Sequence, residues 1–406
     1  MKLRCIECGA IYAPRDTRNQ CECGGLLEVE LAPQALSREL FDGRLGALEH
    51  PLRSGVWRFR ELMPELPDDA IVSKPEGNTN LYHDRRLSEY AGVDVWFKHE
   101  GENPTGSFKD RGMTVGVSHA QWTGATMVAC ASTGNTSASV AAYAAAAGIP
   151  SVVFVPAGKI SVAKLGQTIA YGTHIIQVRG DFDAAMHMVR DASRRYGIYL
   201  LNSLNPFRLE GQKSIVLEAL QQLRWQVPDW IVIPGGNLGN TSALGKALRE
   251  SLASGLIDTA PRIAVAQATG AAPLFHAFQR RFETYEPVKA LTIATAIQIG
   301  DPVNYAKARR VILEFEGTVV AVDDEAIMAA KGQVDRAGVG CEPASAAGLA
   351  GIRQLVARGA IEPGQRVLTF LTGHLLKDSD ALATEAPMIA IDPTPESLDR
   401  ALAGIL

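Results

Sequence analysis

Residues 230–241 read WIVIPGGNLGNT, and this stretch decides the fold class. The run Trp230–Pro234 is continuously apolar, which is typical of a strand that is buried on both faces. A glycine-rich turn, residues 235–240, follows at once, and Thr241–Ser254 has the length and composition of a helix. A strand, a tight turn and a helix make up half of a βαβ unit. The stretch therefore predicts an α/β fold built on a parallel sheet.

The same alternation extends from Val93 towards the end of the chain. The further predicted strands are Val93–Lys98, Thr126–Ala131, Ser151–Val155, His174–Val178, Tyr199–Asn202, Arg262–Gln267, Gly317–Val322 and Arg366–Leu371. Helix-length segments lie between most of them, for example Thr136–Ala147, Val162–Tyr171 and Asp183–Tyr196. In parallel sheets, the loops that follow the strands lie at one edge, where ligands bind. We therefore expect the loops at 132–136, 235–240 and 372–374 to gather at one rim.

Composition and charge bound the class of protein. The 406 residues are 47% hydrophobic and 21% charged, the balance of a globular chain with more than one domain. A net charge of −4 gives no electrostatic reason to expect nucleic acid or a membrane as a partner. The longest apolar runs, such as Val140–Ala147, are far shorter than a membrane span, and the N-terminus has no secretory apolar segment. We therefore expect a cytoplasmic protein.

The segment 102–112, ENPTGSFKDRG, contains the residue with the most distinctive chemistry. The Asn-Pro-Thr-Gly run predicts a turn, and Ser107 is a suitable cap for a helix that begins near Lys109. The positive end of a helix dipole disfavours a second positive charge. The pKa of Lys109 should therefore fall, which suits a Schiff-base amine. The alternative is an exposed lysine that Asp110 shields.

Two strand-to-helix turns have the composition of anion sites. The turn 235–240, GGNLGN, combines glycines with a helix N-terminus, which suits a single phosphate. Its spacing matches neither a dinucleotide fingerprint nor a P-loop, and a plain tight turn is the alternative. The turn 132–136, STGNT, could bind a carboxylate through its backbone amides while Asn135 bonds a phenolic oxygen. A cluster of helix-capping residues is the alternative there.

A third polar loop follows the strand that ends at Asn202. Asn202, Ser203 and Arg208 lie close together in the sequence, and a guanidinium beside short polar side chains suits a phosphate or a carboxylate. Alternatively, Arg208 pairs with a neighbouring carboxylate such as Glu210. The residues alone leave both interpretations open.

Taken together, these segments resemble the threonine synthase family, in the tryptophan-synthase-β-like class of pyridoxal-phosphate enzymes. The matching stretches follow the family's order: Glu100–Gly112 (EGENPTGSFKDRG), Ala129–Ser139 (ACASTGNTSAS), Leu201–Lys213 (LNSLNPFRLEGQK), Pro234–Asn240, Gln267–Pro273 (QATGAAP), Thr295–Gly300 (TAIQIG), Glu342–Gly351 (EPASAAGLAG) and Leu371–Asp378 (LTGHLLKD). The resemblance implies a two-lobed fold type II architecture, with parallel-stranded sheets flanked by helices behind a short cysteine ribbon. We expect the ribbon at 1–30, a large cofactor-binding lobe at 31–118 and 206–406, and a small mobile lobe at 119–205.

The resemblance also implies a role for each matching residue. Lys109 would form the internal aldimine with pyridoxal 5'-phosphate. The cofactor phosphate would be held by Gly235, Gly236, Asn237, Leu238, Gly239 and Asn240. Asn135 would contact the phenolic oxygen of the cofactor, and Thr372 would face its pyridine nitrogen. The substrate would be bound by Ser132, Thr133, Thr136, Asn202, Ser203 and Arg208, of which the last four would grip a phosphate.

The activity that the resemblance implies is the conversion of O-phospho-L-homoserine and water to L-threonine and phosphate, in a homodimer. Cysteate synthase, which takes phosphoserine and sulfite, and the threonine or serine dehydratases share the same framework. Arg208 with Ser203 and Asn202 favours a phosphorylated substrate over those of the dehydratases. An alternative outside the enzymes is a zinc-ribbon binding protein with a disused core, although residues 1–30 show no basic face.

Four of the six cysteines lie within the first 23 residues. Cys5 and Cys8 have the C-x₂-C spacing and trailing glycine of a zinc knuckle, whereas Cys21 and Cys23 are one residue closer together. In a reducing compartment, clustered cysteines favour a metal over a disulfide. We therefore predict a structural zinc or another soft metal at Cys5, Cys8, Cys21 and Cys23, with four reduced thiols as the alternative.

Overall fold

The computed structural model describes residues 1–158, 162–180, 182–381 and 389–403. Its strands, in chain order, are β1 (Lys2–Cys5), β2 (Ile11–Tyr12), β3 (Leu27–Glu30), β4 (Leu81–His83), β5 (Asp94–His99), β6 (Val128–Ala131), β7 (Ser151–Pro156), β8 (His174–Val178), β9 (Tyr199–Leu200), β10 (Trp230–Pro234), β11 (Arg262–Ala268), β12 (Thr318–Val322) and β13 (Arg366–Leu371). Its α-helices are α1 (Arg38–Asp42), α2 (Arg85–Ala91), α3 (Lys109–Trp122), α4 (Asn135–Ala147), α5 (Val162–Ala170), α6 (Phe182–Tyr196), α7 (Pro206–Gln212), α8 (Ser214–Gln222), α9 (Gly239–Ala253), α10 (Pro273–Gln279), α11 (Tyr305–Glu314), α12 (Asp324–Arg336), α13 (Pro343–Ala357) and α14 (Pro395–Ala403). Short 3₁₀ helices lie at Trp57–Leu62, Asp68–Ala70, Glu100–Glu102, Thr269–Ala271, Thr295–Ile297 and Leu375–Ala381.

The strands form three sheets. The N-terminal sheet is antiparallel, with the order β2-β1-β3. The second sheet has the order β12-β11-β10-β13-β5-β4, and the third has the order β8-β7-β6-β9. Neighbouring strands of the second and third sheets are parallel, apart from β4, which runs antiparallel to β5 at the edge. The predicted α/β fold with parallel-stranded sheets is confirmed.

Strand β10 lies inside the second sheet, between β11 and β13. Ile231 and Ile233 pack into the core on one face of the sheet. Trp230 and Val232 pack into a separate core on the other face. Because both faces are buried, successive side chains are all apolar, which explains the continuous run in the sequence. The carboxyl end of β10 carries the glycine-rich turn to the edge of the sheet.

The nine predicted strands are all present, and their ends differ from the prediction by at most two residues. Tyr199–Asn202 is one of those that are shorter than predicted, because β9 ends at Leu200. There the side chain of Asn202 replaces backbone pairing: its Oδ1 accepts a hydrogen bond from Ala131 N at 3.0 Å, and its Nδ2 donates to Ala131 O at 2.9 Å. Strands β1 to β4 were not predicted, since they are only two to four residues long.

The four-stranded sheet is built from strands between residues 128 and 200. The boundary that the sequence predicts between 118 and 119 falls inside α3. This helix is buried along most of its length and packs against both α4 and α7. Helix α3 therefore joins the part of the chain around the four-stranded sheet to the part around the six-stranded sheet.

Five loops meet at the carboxyl ends of the strands, as predicted for parallel sheets. They follow β5, β6, β9, β10 and β13, and residues from or just after them line one cavity of about 540 Å³. In the described ranges, no helix is long and apolar enough to cross a membrane.

Candidate active site

Most of the residues singled out from the sequence line this cavity. They are Lys109, Ser132, Thr133, Asn135, Thr136, Asn202, Ser203, Gly236, Asn237, Leu238, Gly239, Asn240 and Thr372. Gly235 and Arg208 lie behind the lining, and each has a separate explanation below. The cavity therefore collects side chains from both parallel sheets and from the start of α3.

Lys109 is the first residue of α3 and follows the predicted turn. Gly106 N donates to Asn103 O at 2.8 Å, and Gly106 has φ +85°, a conformation that glycine adopts without strain. The prediction that Ser107 caps the helix is wrong. The cap residue is Phe108, and the buried Ser107 Oγ has no hydrogen-bond partner among the described residues.

The surroundings of Lys109 favour a neutral amine. Burial lowers the pKa of Lys109 to about 7, the nearby Arg208 guanidinium lowers it further, and the Glu342 carboxylate opposes both. Its Nζ lies 4.3 Å from the centre of the Phe108 ring, in contact with an apolar surface. A lysine with this pKa is partly unprotonated near neutral pH, which is the form that attacks a carbonyl.

Asp110 does not shield Lys109, so the alternative interpretation of this lysine is wrong. The Asp110 carboxylate accepts hydrogen bonds from Thr105 N at 2.6 Å, Thr105 Oγ1 at 2.7 Å and Ser139 Oγ at 2.6 Å. Burial raises the pKa of Asp110 to about 6, although these three donors oppose the rise. The carboxylate ties the turn before α3 to α4 and leaves the amine facing the cavity.

The glycine-rich turn after β10 is smaller as an anion site than the sequence predicts. Gly235 N donates to Ala266 O at 2.8 Å, so this N–H belongs to the sheet. A Cβ on Gly235 would lie 2.4 Å from Val265 Cγ1, which explains the glycine by close packing. Gly236 faces the cavity, where a Cβ would lie 3.0 Å from Ile297 Cα. The part of the turn that remains available to an anion is therefore 236–240.

Helix α9 begins at Gly239, directly behind this turn. Leu238 has φ +60°, which turns the chain sharply into the helix. The first N–H groups of a helix have no partner within it and carry its positive dipole end. In addition, the Thr241 Oγ1 hydroxyl is buried without a hydrogen-bond partner in the described part of the chain. Unsatisfied donors at a helix start are what a bound phosphate would satisfy.

A hydrogen-bonded cluster closes the opposite wall of the cavity. Asn135 Nδ2 donates to Glu342 Oε2 at 2.9 Å, and Thr372 Oγ1 lies 3.1 Å from Glu342 Oε1. Ser345 Oγ lies 2.9 Å from Thr372 Oγ1. Burial raises the pKa of Glu342, although Asn135 and Thr372 favour its charged form. The cluster fixes the side chains of Asn135 and Thr372 towards the cavity.

Arg208 is fully buried on α7, behind Lys109. Its Nη1 donates to Leu201 O at 2.9 Å, whereas Nε and Nη2 have no partner among the residues that the structure describes. Burial lowers the pKa of Arg208 to about 10. The alternative pairing with Glu210 is wrong, because that carboxylate binds Lys213 and Lys246. A buried cation with two unused donors is complementary to an anion.

Sequence reasoning missed several charged residues of the cavity, and Glu342 and Lys377 are two of them. Glu342 is the N-cap residue of α13, and only the pairing of Glu342 N with Gly373 O, at 3.0 Å, brings it to the site. Lys377 donates to Thr105 O at 3.0 Å and to Gln167 Oε1 at 2.6 Å, and burial lowers its pKa. The matching stretches Glu342–Gly351 and Leu371–Asp378 contained both residues, so the resemblance was the available signal.

A half-buried lysine with a lowered pKa at a helix start, a glycine-rich turn in the same cavity and two parallel-stranded sheets define a fold type II pyridoxal-phosphate enzyme. Residues 72–373 match the family model described as pyridoxal-phosphate dependent enzyme, and the chain belongs to this family. It is 46% identical over 393 residues to a threonine synthase of Methanocaldococcus jannaschii, covering 96% of each chain. It is 43% identical to a threonine synthase of Methanosarcina acetivorans, covering 99% of this chain and 98% of the relative.

Solved structures confirm the fold. The crystal structure of threonine synthase from Escherichia coli has a TM-score of 0.73 at 22% identity and covers 99% of this chain and 94% of its own. The structure of maize serine racemase has a TM-score of 0.64 at 21% identity, with 87% and 98% covered. At these identities the likeness concerns the fold, which serves several reactions.

Proposed function

We propose that the chain is a threonine synthase, which converts O-phospho-L-homoserine and water to L-threonine and phosphate. The observation that carries the proposal is the buried Arg208 guanidinium, whose Nε and Nη2 are unused in the described structure and whose charge lowers the pKa of Lys109. A buried cation with unused donors suits an anionic group of the substrate, and the resemblance assigns the phosphate to it. The two relatives named above are both threonine synthases and support the same assignment.

The residues present fit pyridoxal 5'-phosphate. The cofactor phosphate would be held by Gly236–Asn240 and by the Thr241 hydroxyl, which has no partner in the described structure. Lys109 would bind the cofactor covalently through its aldehyde. When bound, the cofactor supplies an aldehyde for imine formation and a ring that withdraws electrons from the substrate's α carbon. Asn135 and Thr372, held by Glu342, would contact the phenolic oxygen and the ring nitrogen.

Lys109 is the proton carrier of the proposed reaction. Because burial lowers its pKa to about 7, the free amine can accept the proton from the substrate's Cα and return protons to the neighbouring carbons. Thr372 is neutral, so it does not hold the ring nitrogen protonated as an aspartate would. The resulting milder electron withdrawal suits elimination at Cγ and addition at Cβ.

Arg208, Ser203 and Thr136 would bind the substrate's phosphate and stabilise its charge as it leaves Cγ. Ser132 and Thr133 would present backbone amides to the substrate carboxylate. Both polar atoms of the Asn202 side-chain amide bond to Ala131: Oδ1 accepts a hydrogen bond from its N–H, and Nδ2 donates one to its carbonyl oxygen. We therefore revise the predicted role of Asn202 from phosphate ligand to support for Ser203.

The alternatives within and outside the enzymes fit less well. The dehydratases have no use for the buried guanidinium of Arg208. A zinc-ribbon module that binds nucleic acid would need a basic face. Instead, Lys2 and Arg4 pair with Glu30, and Arg18 pairs with Asp16 and Glu22. The positive charges of these ribbon side chains are therefore neutralised within the ribbon.

Phosphate release and amino-acid analysis test the proposal directly. The holoenzyme should release phosphate from O-phospho-L-homoserine and form L-threonine in equal amount. Phosphoserine with sulfite should react about 10- to 200-fold less efficiently, because a missing methylene is worth about 1–3 kcal/mol of discrimination. Release of phosphate without threonine, or faster turnover of phosphoserine with sulfite, would refute the assignment.

Three further features of the sequence analysis belong to the proposal. We propose that the lobes, divided near α3 and near residue 206, close over the substrate and exclude water. We also propose a homodimer, which light scattering of the purified protein would test. The third proposed feature is a cytoplasmic location, which agrees with six cysteines that form no disulfide.

A further inference from the structure

The four cysteines of the N-terminal sheet converge on one point. Cys5 Sγ lies 3.6 Å from Cys23 Sγ, and Cys8 Sγ lies 3.5 Å from Cys21 Sγ. The four sulfur atoms all lie within 4.8 Å of one another. Cys5 and Cys8 come from the end of β1 and the turn after it, and Cys21 and Cys23 come from the turn before β3. Two separate turns therefore bring their thiols together.

The separations fit a metal tetrahedron. A disulfide would bring two sulfur atoms to about 2.0 Å. Four thiolates at about 2.3 Å from one zinc ion would lie about 3.8 Å from one another, the edge of a regular tetrahedron. The observed distances of 3.5 and 3.6 Å are close to that edge. One Zn²⁺ would need only small movements of the side chains.

The backbone around the sulfur atoms is shaped for this convergence. Gly9 and Gly24 have φ +74° and +85°, so both turns bend sharply just after a cysteine pair. A Cβ on Gly25 would lie 2.7 Å from Cys5 Sγ, so the sulfur occupies space that only glycine leaves. The two glycines after Cys23 thus compensate for the short C-x-C spacing.

A polar side chain also supports the cluster from outside. The Tyr12 hydroxyl lies 2.9 Å from Cys21 Sγ, and the Arg18 guanidinium lies over the Tyr12 ring at 4.0 Å. A hydroxyl that donates to a metal-bound thiolate orients it and disperses its charge, as outer partners of metal ligands do. Four thiolates with Zn²⁺ carry a net charge of −2, which the Tyr12 hydroxyl would help to disperse.

We propose that Cys5, Cys8, Cys21 and Cys23 bind one Zn²⁺ ion and that the loaded ribbon braces both parallel sheets of the enzyme. Four protein thiolates fill the tetrahedron, so the site is structural and has no open position for a substrate. The ion fixes the ends of β1 and β3 relative to each other, and β3 is the strand that docks on the body of the protein.

The docking of the ribbon reaches both sheets. On the six-stranded side, Lys307 Nζ donates to Leu27 O at 2.7 Å, and Lys246 Nζ donates to Val29 O. On the four-stranded side, Leu26 packs in the core cluster that contains Ala131 and Leu204. Loss of the metal would therefore loosen contacts to both sheets at once.

Helix α3 is held from the same module. Its His119 Nε2 lies 2.8 Å from Pro14 O, and Trp122 contacts the Arg15 guanidinium at 4.6 Å from the ring centre. Pro14 and Arg15 lie in the loop between Cys8 and Cys21. The metal thus closes a loop whose middle part rests on the helix that begins with Lys109.

Metal analysis of the purified full-length holoenzyme tests the site. We expect about one zinc per chain. The double variant Cys8→Ser with Cys23→Ser changes the two exposed cysteines and should contain less than about one tenth of that amount. Glu22→Ser lies between two ligands with an 86% exposed side chain and serves as the matched control, which should keep its zinc. A metal-free wild type after expression in zinc-supplemented medium, or full zinc in the double variant, would overturn the site.

Cobalt substitution and a change at Tyr12 sharpen the test. Co²⁺ in the wild-type protein should give the intense visible bands of a tetrahedral thiolate site, and these bands should be missing from the double variant. Tyr12→Phe should keep the stoichiometry but lower the zinc affinity about 10- to 100-fold in competition with a chelator. Weak bands of octahedral Co²⁺ in the wild type would contradict the four-thiolate site.

Hydrogen exchange tests the bracing role. Removal of zinc from the wild-type holoenzyme should increase amide exchange in β3 and also in the neighbouring parts of α3 and α11. The Glu22→Ser control should exchange like the wild type. The double variant should lower the melting temperature while the absorbance of the bound cofactor persists. Zinc binding without any change of exchange outside residues 1–30 would refute the brace.

Discussion

Replacing Arg208 by glutamine would remove the buried cation from behind Lys109. The guanidinium donates one hydrogen bond to Leu201 O. Its Nε and Nη2 atoms have no partner among the described residues, and these two atoms are available to a substrate phosphate. A hydrogen bond to a charged group contributes about 1.5–3 kcal/mol. Two such bonds at the lower value give about 3 kcal/mol, or roughly a 150-fold loss of kcat/KM.

Initial rates of phosphate release at varied O-phospho-L-homoserine provide the assay. We expect Arg208→Gln to raise KM strongly while cofactor loading, read from the visible absorbance, stays unchanged. Arg208→Lys keeps the charge but loses the planar fork, so it should recover only part of the activity. Arg85→Gln removes an arginine whose side chain is 86% exposed and serves as the matched control. A KM of Arg208→Gln within twofold of the wild type would refute the role.

The fold should survive this substitution. The variant loses the hydrogen bond to Leu201 O, which is worth about 1 kcal/mol, but it also removes a fully buried charge whose desolvation opposes folding. The glutamine is shorter but keeps the part of the side chain on which α3 packs closely, since a Cβ on Gly116 would lie 3.1 Å from Arg208 Cγ. Circular dichroism and the thermal midpoint would show whether a loss of activity has a structural origin.

Three other predictions concern the cofactor site. Lys109→Ala should abolish turnover in a folded protein, and borohydride reduction should no longer fix a pyridoxyl group; wild-type turnover would end the proposal. The rate of cofactor capture by the apoenzyme should rise with pH and reach half its maximum near pH 7. The unprotonated amine is the reactive form, and burial lowers the pKa of Lys109 to about 7. Half-maximal capture near pH 10 would contradict the lowered pKa. Gly236→Ala should weaken cofactor binding, measured by absorbance titration, because its Cβ would lie 3.0 Å from Ile297 Cα, and unchanged affinity would place the phosphate elsewhere.

The elements of the fold could be predicted because they depend on local patterns. Continuous apolar runs marked buried strands such as β10, and glycine turns marked where those strands end. The gathering of the loops at one rim followed from the parallel direction of the strands. Each of these inferences needed only neighbouring residues in the chain.

The parts that failed depend on contacts between distant segments. Gly235 was assigned to the phosphate turn, but its N–H is taken by Ala266, a fact of strand pairing. Ser107 was assigned as a cap, but it pairs with the distant Gly373 in an isolated bridge, and the cap residue of α3 is Phe108. Glu342 reaches the site because its backbone pairs with Gly373, and neither its burial nor its partners can be read from the sequence around it.

The bridge from Asn202 to Ala131 has a mechanical consequence. The Asn202 side chain hydrogen-bonds both backbone polar groups of Ala131, the last residue of β6. These bonds hold the loop that carries Ser203 against the loop that begins at Ser132. Ser203 would face the phosphate of the substrate, and the backbone amides of Ser132 and Thr133 would face its carboxylate. The hydrogen bonds between Asn202 and Ala131 would therefore fix the distance between the phosphate-binding and carboxylate-binding groups. That fixed distance would select substrates by the length of their side chain.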